Sequence, residues 1–120
     1  MGHQVAEQAG AFVELQYSGA VTYEERTAAV DTVGRMLRES GLRCVLADYR
    51  DAHVVEPVPG ARIDYVARAI SEDIFQGCRV AIIGLSPEHM RAAEMAGLVR
   101  EIRVKGFADR ESAIDWLTTA

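Results

Sequence analysis

One stretch limits the possible folds of this chain more than any other: Cys44-Val45-Leu46-Ala47-Asp48-Tyr49-Arg50-Asp51. A short apolar run of this kind reads as a strand covered on both faces, in the interior of a sheet flanked by helices. The run then ends abruptly in charge, so its carboxyl end carries Asp48, Arg50 and Asp51 to one rim of the sheet. In open α/β sheets, that rim is where ligands and partners dock.

The segments on either side suit such a sheet. Phe12-Val13-Glu14-Leu15-Gln16-Tyr17 alternates, with Val13, Leu15 and Tyr17 on one face, as in a half-buried strand that Gly19 breaks. Val21 extends a second short strand. Thr22-Tyr23-Glu24-Glu25 is a capping box, in which the Thr22 hydroxyl accepts from the Glu25 N–H and the Glu25 carboxylate reaches back. The helix that follows stacks Ala29, Val30, Val33, Met36 and Leu37 on one stripe, with Gly34 packed close on the sheet, and Gly41 ends it. The strand Arg43–Tyr49 leads into a stiff loop, Asp51 to Gly60, that holds Pro57 and Pro59. A second helix is expected from Ala61 to Phe75, with Ile63, Val66, Ala67, Ile70 and Ile74 inward and Asp64 paired with Arg68. Arg79-Val80-Ala81-Ile82-Ile83-Gly84 is another interior strand. Ser86-Pro87-Glu88 opens a third helix in the favoured order of cap, proline and acid, and Gly97 closes it. Val99–Lys105 reads as a charged edge strand, Gly106-Phe107 as a turn, and Asp109 as the cap of a last helix, Glu111–Thr118. Residues 1–10 carry little periodicity and are expected to form a loose N-terminal arm or a poorly formed sheet edge.

The fold class is therefore α/β: a single open, mainly parallel sheet of four to five strands with helices, in one domain over residues 1–120. The 120 residues suffice for one core. With 18 acids against 13 scattered bases, the net charge is −5, and no basic stripe exists to neutralise phosphates. Nucleic acid is not an expected partner. Cys44 and Cys78 lie far apart in sequence, read as buried free thiols, and lack the close spacing of a metal site. No apolar run approaches the roughly 20 residues needed to span a bilayer. Met1-Gly2-His3-Gln4 has no basic segment followed by an apolar one, and Ala6 sits where a myristoylation signal wants Ser or Thr. A cytoplasmic protein is expected.

This order of elements resembles the STAS fold, the domain of bacterial anti-sigma-factor antagonists and sulphate-transporter tails. It is most similar to the stand-alone SpoIIAA-like branch, related to STAS/SEC14-like proteins. The resemblance runs over residues 12–117. It is carried by Gly19-Ala20-Val21-Thr22, by Leu42 to Asp48, by Arg79 to Gly84, and by the closing pattern Phe107, Ala113, Trp116-Leu117. It implies a regulatory protein that binds a protein partner. The family places a phosphorylatable Ser at the start of the helix after the central strand. Here that region reads Glu56-Pro57-Val58-Pro59-Gly60-Ala61, with no Ser, Thr or Tyr between Asp51 and Asp64. The resemblance therefore implies the partner surface without the phosphoswitch.

The candidate binding residues are Asp48, Arg50, Asp51, His53, Pro57, Pro59, Gly60 and Ser86. Asp48 and Asp51 invite comparison with a phosphoacceptor pair, and Lys105 before Gly106-Phe107 echoes the lysine of receiver domains. The stretch Gln16-Tyr17-Ser18-Gly19 supplies no acids to complete such a site, so a loop anchor is the preferred reading: Asp48 accepts backbone N–H groups and Arg50 pairs with a neighbouring acid. His53 and His89 lack a carboxylate at motif spacing, and Ser86 reads as a plain helix cap. No enzyme, cofactor or metal is expected. An unidentified protein is the expected partner, a homodimer is compatible with the sequence, and the alternative is a carrier of an apolar small molecule. In that alternative the small residues Ala92, Ala93, Ala96 and Gly97 leave room for a cavity.

Overall fold

The computed structural model describes residues 2–55, 73–99 and 101–119. Within them, β1 (Gly2–Gln8), β2 (Phe12–Val21), β3 (Cys44–Val54), β4 (Arg79–Ile83) and β5 (Arg103–Phe107) form one sheet in the order β1-β2-β3-β4-β5. The α-helices among the described residues are α1 (Tyr23–Ser40), α2 (Pro87–Val99) and α3 (Arg110–Thr118). β1 runs antiparallel to β2, and the other neighbours are parallel. The apolar run beginning at Cys44 thus lies mid-sheet, as its composition requires.

Strand alternation sends two sets of side chains to opposite faces. Val13, Leu15, Tyr17, Val45, Ala47, Tyr49 and Ile82 pack with Ala29, Val33 and Leu37 of α1. Leu46, Ala81 and Ile83 pack with Ala113 and Leu117 of α3 on the other face. Leu46 is fully buried, which contributes about 1.5–3 kcal/mol from its side chain. Both long helix caps form as expected. The Glu25 N–H donates to Thr22 Oγ1 at 3.2 Å, and Gly41 (φ 76°) donates to the Leu37 carbonyl at 2.9 Å. Asp109 caps α3 by accepting from the Ser112 N–H at 2.8 Å.

Several expectations are corrected. Of the two readings of the N-terminus, residues 2–8 take the sheet edge rather than the loose arm, as the full strand β1. Ala9 and Gly10 both take positive φ (52° and 66°), and the Ala11 N–H donates to the Gln8 carbonyl at 2.9 Å, closing a hairpin. Gly19 (φ 72°) does not break β2, because pairing with β3 continues through Val21. β3 runs on from Tyr49 to Val54, so Asp51 and His53 sit on a strand rather than in a loop. The Glu25 carboxylate lies 2.7 Å from His3 Nδ1 and ties β1 to α1. Gly34 faces Ile74 and Phe75 rather than the sheet. The last strand starts at Arg103, not Val99. α2 continues through Val99, Glu101 (φ 59°) turns the chain, and the Ile102 N–H donates to the Gly97 carbonyl at 2.9 Å. Gly106 and Phe107 are in β5 rather than in a turn. The expected helix from Ala61, its Asp64–Arg68 pair, and Pro57, Pro59 and Gly60 before it fall outside the described residues; Asp73–Phe75 forms a 3-10 turn.

Candidate functional site

The carboxyl end of β3 is shaped by one extra residue. Gln16 stands opposite Asp48 and Ser18 opposite Asp51, so Tyr17 alone faces both Tyr49 and Arg50. A bulge of this kind re-aims the side chains that follow it. Tyr49, Ala52 and Val54 turn toward the α1 face, while Asp51 and His53 are exposed. Gly84 (φ +83°) presses on the bulge from the turn after β4. A Cβ there would lie 2.6 Å from the Arg50 nitrogen and 2.8 Å from the Tyr49 carbonyl carbon. Only glycine permits both that backbone angle and that approach.

Asp48 is 3% exposed. Its Oδ1 accepts from the Arg50 backbone N–H at 2.9 Å and from Arg50 Nε at 3.1 Å, and its Oδ2 accepts from Arg50 Nη2 at 2.8 Å. Burial pushes the Asp48 carboxyl up, but the Arg50 side-chain and backbone bonds outweigh it and hold the group below its ordinary range. Beside it on the same face is a pair that the sequence analysis missed. Glu14, 6% exposed, receives Arg110 Nε at 3.1 Å and Nη2 at 2.8 Å, and Gln8 Nε2 at 3.1 Å. The Glu14 pair ties β1, β2 and the start of α3 together, while the Asp48–Arg50 pair lies within β3. Each acid accepts from the fork of an arginine, which suits anchoring.

The remaining candidates are dispersed. Ser86 Oγ accepts from the His89 N–H at 3.3 Å and lies 2.7 Å from His89 Nδ1, so it caps α2 as expected. Lys105 lies on β5, two strands away from β3, with its ammonium 5.4 Å from the Phe107 ring centre. Among the described residues, no three His, Cys, Asp or Glu side chains stand close enough to hold a metal ion. Asp48, Arg50 and Asp51 are brought together at the bulge, and His53 follows on the same strand.

On the other face, a cavity of about 120 Å³ opens between the sheet, α1 and α2. Its walls include Ile82, Leu85, Ala93 and Ala96, so two of the small α2 residues do border open space. Gly97 does not; a Cβ there would lie 2.5 Å from the Ile102 carbonyl oxygen. Arg26, 4% exposed, also lines the cavity, with its guanidinium carbon 5.8 Å from the Tyr49 ring centre. Tyr49 in turn packs on Tyr17 at 4.6 Å between ring centres. Arg26 carried a sequence signal that went unused. It precedes Ala29, Val30, Val33 and Leu37 by three, four, seven and eleven residues, which puts a cation on the apolar stripe of α1.

Among the described residues, no helix is long and apolar enough to cross a membrane. No protein-family model and no curated protein matches the chain. Solved structures do. An uncharacterized DUF3478-family protein with a SpoIIAA-like fold from Shewanella loihica PV-4 is 21% identical with a TM-score of 0.63, covering 97% of this chain and 92% of that one. The anti-sigma factor antagonist SpoIIAA in its unphosphorylated form is 14% identical with a TM-score of 0.64, covering 99% and 100%. The Bacillus cell fate determinant SpoIIAA in the phosphorylated form is 12% identical with a TM-score of 0.60, covering 97% and 99%. A mainly parallel five-stranded sheet with β3 at its centre, matched over nearly the whole length of each of these structures, gives this chain the STAS, SpoIIAA-like fold.

Proposed function

We propose that the chain is a non-catalytic regulatory domain that acts by binding a protein partner at the carboxyl rim of its sheet. The observation that carries this is the division of charge at the β3 bulge. Asp48 is buried and held by Arg50, while Asp51 and His53 stand exposed immediately beyond it. A carboxylate so committed is a poor phosphoacceptor or base, whereas a rigid strand end with exposed polar groups suits recognition. Two of the similar structures are named as an anti-sigma factor antagonist and as a cell fate determinant, which favours a regulatory role. Pro57, Pro59 and Gly60 follow this strand in sequence and belong to the proposed surface, with Ser86 on the neighbouring turn. Since no Ser, Thr or Tyr lies between Asp51 and Asp64, binding here is not switched by phosphorylation in that segment.

The test is affinity capture from a lysate of the source organism, comparing the wild type with the double variant Asp51→Arg, His53→Glu. One protein should be retained by the wild type and lost by the variant, with unchanged circular dichroism for both. Equal recovery of that protein on the variant would remove the rim as the binding surface.

A second reading is favoured by the apolar cavity. A carrier of a small apolar molecule would use the space bordered by Ala93 and Ala96. Native mass spectrometry of the purified chain should then show a bound small molecule, or uptake of an added apolar one.

A further inference from the structure

The large hydrophobic side chains that this fold leaves uncovered are concentrated in one place. Among the described residues they are Val55, Met95, Leu98 (81% exposed) and Val99 (77% exposed). Met95, Leu98 and Val99 fall at i, i+3 and i+4 near the end of α2, so they share one stripe. The other side of the helix is already in use: Ala93 and Ala96 line the cavity, and Gly97 packs on Ile102 and Val104. An exposed apolar stripe of this kind marks a surface that another molecule covers.

The stripe complements itself. Leu98 and Val99 stand three and four residues after Met95, and Ala92 and Arg91 three and four residues before it. Two copies of α2 laid antiparallel about Met95 therefore bring Leu98 and Val99 of each level with Arg91 and Ala92 of the other. Large side chains then meet a methyl group and the aliphatic stem of an arginine instead of colliding with each other. Met95 meets its own counterpart, a contact to which a flexible methionine adapts. The exposed charges flanking each end are one acid and one base, Glu88 and Arg91 before the stripe and Glu101 and Arg103 after it, so opposite signs face across both ends. We infer that the chain forms a two-fold symmetric homodimer through this antiparallel pairing of α2. A membrane surface fits the stripe less well, because Glu88 and Glu94 share the helix with a single arginine and the net charge of −5 repels anionic lipid. The 13 residues of α2 make a helix about 20 Å long. A contact confined to one such helix falls below the ~1,200 Å² of a standard interface, so the dimer is weak, with a dissociation constant of roughly 10–500 μM. The stripe lies at the far end of α2 from Ser86 and the rim, so both surfaces can be occupied at once.

The experiment is analytical ultracentrifugation of the full chain from about 10 μM to about 1 mM. The wild type should pass from monomer to dimer over that range. Leu98→Glu should raise the dissociation constant at least about tenfold with unchanged circular dichroism, since the side chain it replaces is exposed in the monomer. A short bis-maleimide should link Met95→Cys into a covalent dimer, because the two-fold axis sets position 95 beside its own copy, while the wild type and Glu111→Cys, on α3, stay unlinked. A wild type that remains monomeric at about 1 mM would overturn the inference. So would a dimer that Leu98→Glu leaves intact and Met95→Cys does not link, which would place the contact elsewhere. Sedimentation of the chain with phosphatidylcholine vesicles, lost in Leu98→Glu, would assign the stripe to a membrane surface and overturn it as well. Should Leu98→Glu not fold, the cross-link at position 95 decides the matter alone.

Discussion

Two glycines inside helices should respond in opposite ways to the same substitution. Taken alone, glycine to alanine in a helix interior stabilises by about 1 kcal/mol. At Gly34 of α1, the new Cβ would lie 3.5 Å from Ile74 Cγ2, an ordinary contact, so Gly34→Ala should gain about 0.5–1 kcal/mol. At Gly97 of α2, it would lie 2.5 Å from the Ile102 carbonyl oxygen and 2.8 Å from Val104 Cγ2. Ordinary contact begins near 3.4 Å, so α2 and β5 must part by most of an ångström. That movement strains the bond from the Ile102 N–H to the Gly97 carbonyl. Overpacking costs about 1–3 kcal/mol and a weakened hydrogen bond about 1 kcal/mol more. Even after the helical gain, Gly97→Ala should lose about 1–3 kcal/mol. The two variants should therefore differ by about 1.5–4 kcal/mol, or on the order of 1–2 M in the urea midpoint. Urea unfolding followed by Trp116 fluorescence measures this directly. Two variants that move in the same direction, or midpoints that coincide, would refute the packing of α2 on β5 described above.

Other perturbations probe the rim and the hairpin. Arg50→Met removes the guanidinium and leaves the buried Asp48 with the backbone N–H of position 50 and the Gln16 side chain as donors, so its pKa should rise from its present depressed position. In the wild type, the pair stabilises the fold above about pH 4 and loses that contribution as pH falls through the depressed folded value. The variant should thus melt lower at neutral pH, and the gap should narrow as acid protonates Asp48; an equal gap at both pH extremes would contradict the pairing. Gly84→Ala should be more damaging than Gly97→Ala, because positive φ strain adds to a collision with backbone atoms of Tyr49 and Arg50, and thermal melts rank the two. Ala9→Asn should stabilise by about 1 kcal/mol, since asparagine tolerates the left-handed angle that alanine adopts there, and a melting temperature raised by about 3–5 °C would show it.

The parts legible in the sequence were those fixed by local chemistry. The run from Cys44 announced a mid-sheet strand because continuous apolar residues need cover on both faces. Thr22, Gly41, Ser86 and Asp109 marked helix ends because each supplies a specific hydrogen bond or backbone angle. What escaped depended on distant partners. The second half of β3 is polar, and it is a strand only because Ser18–Val21 pairs with it beyond the bulge. β1 hung on an Ala9-Gly10 turn, which lacks the Asn-Gly or Asp-Gly signature of such hairpins. Glu14 and Arg110 are 96 positions apart, and only the fold brings them together. The start of β5 was misplaced because Val99 and Ile102 fit strand alternation as well as they fit a helix end. Arg26 is different: its place on the α1 stripe was readable, and a buried cation at such a position is a signal worth searching for.

Site-resolved amide hydrogen exchange on the whole chain tests the placement of β3 most directly. A strand paired on both sides and covered on both faces opens only with global unfolding. Val45, Leu46 and Ala47 should therefore exchange at the slowest rate in the molecule, at least about tenfold slower than the amides of β1 and β5 at the sheet edges. Protection in β1 or β5 that equals or exceeds that of Val45–Ala47 would contradict a central β3, and with it the rim that this strand positions.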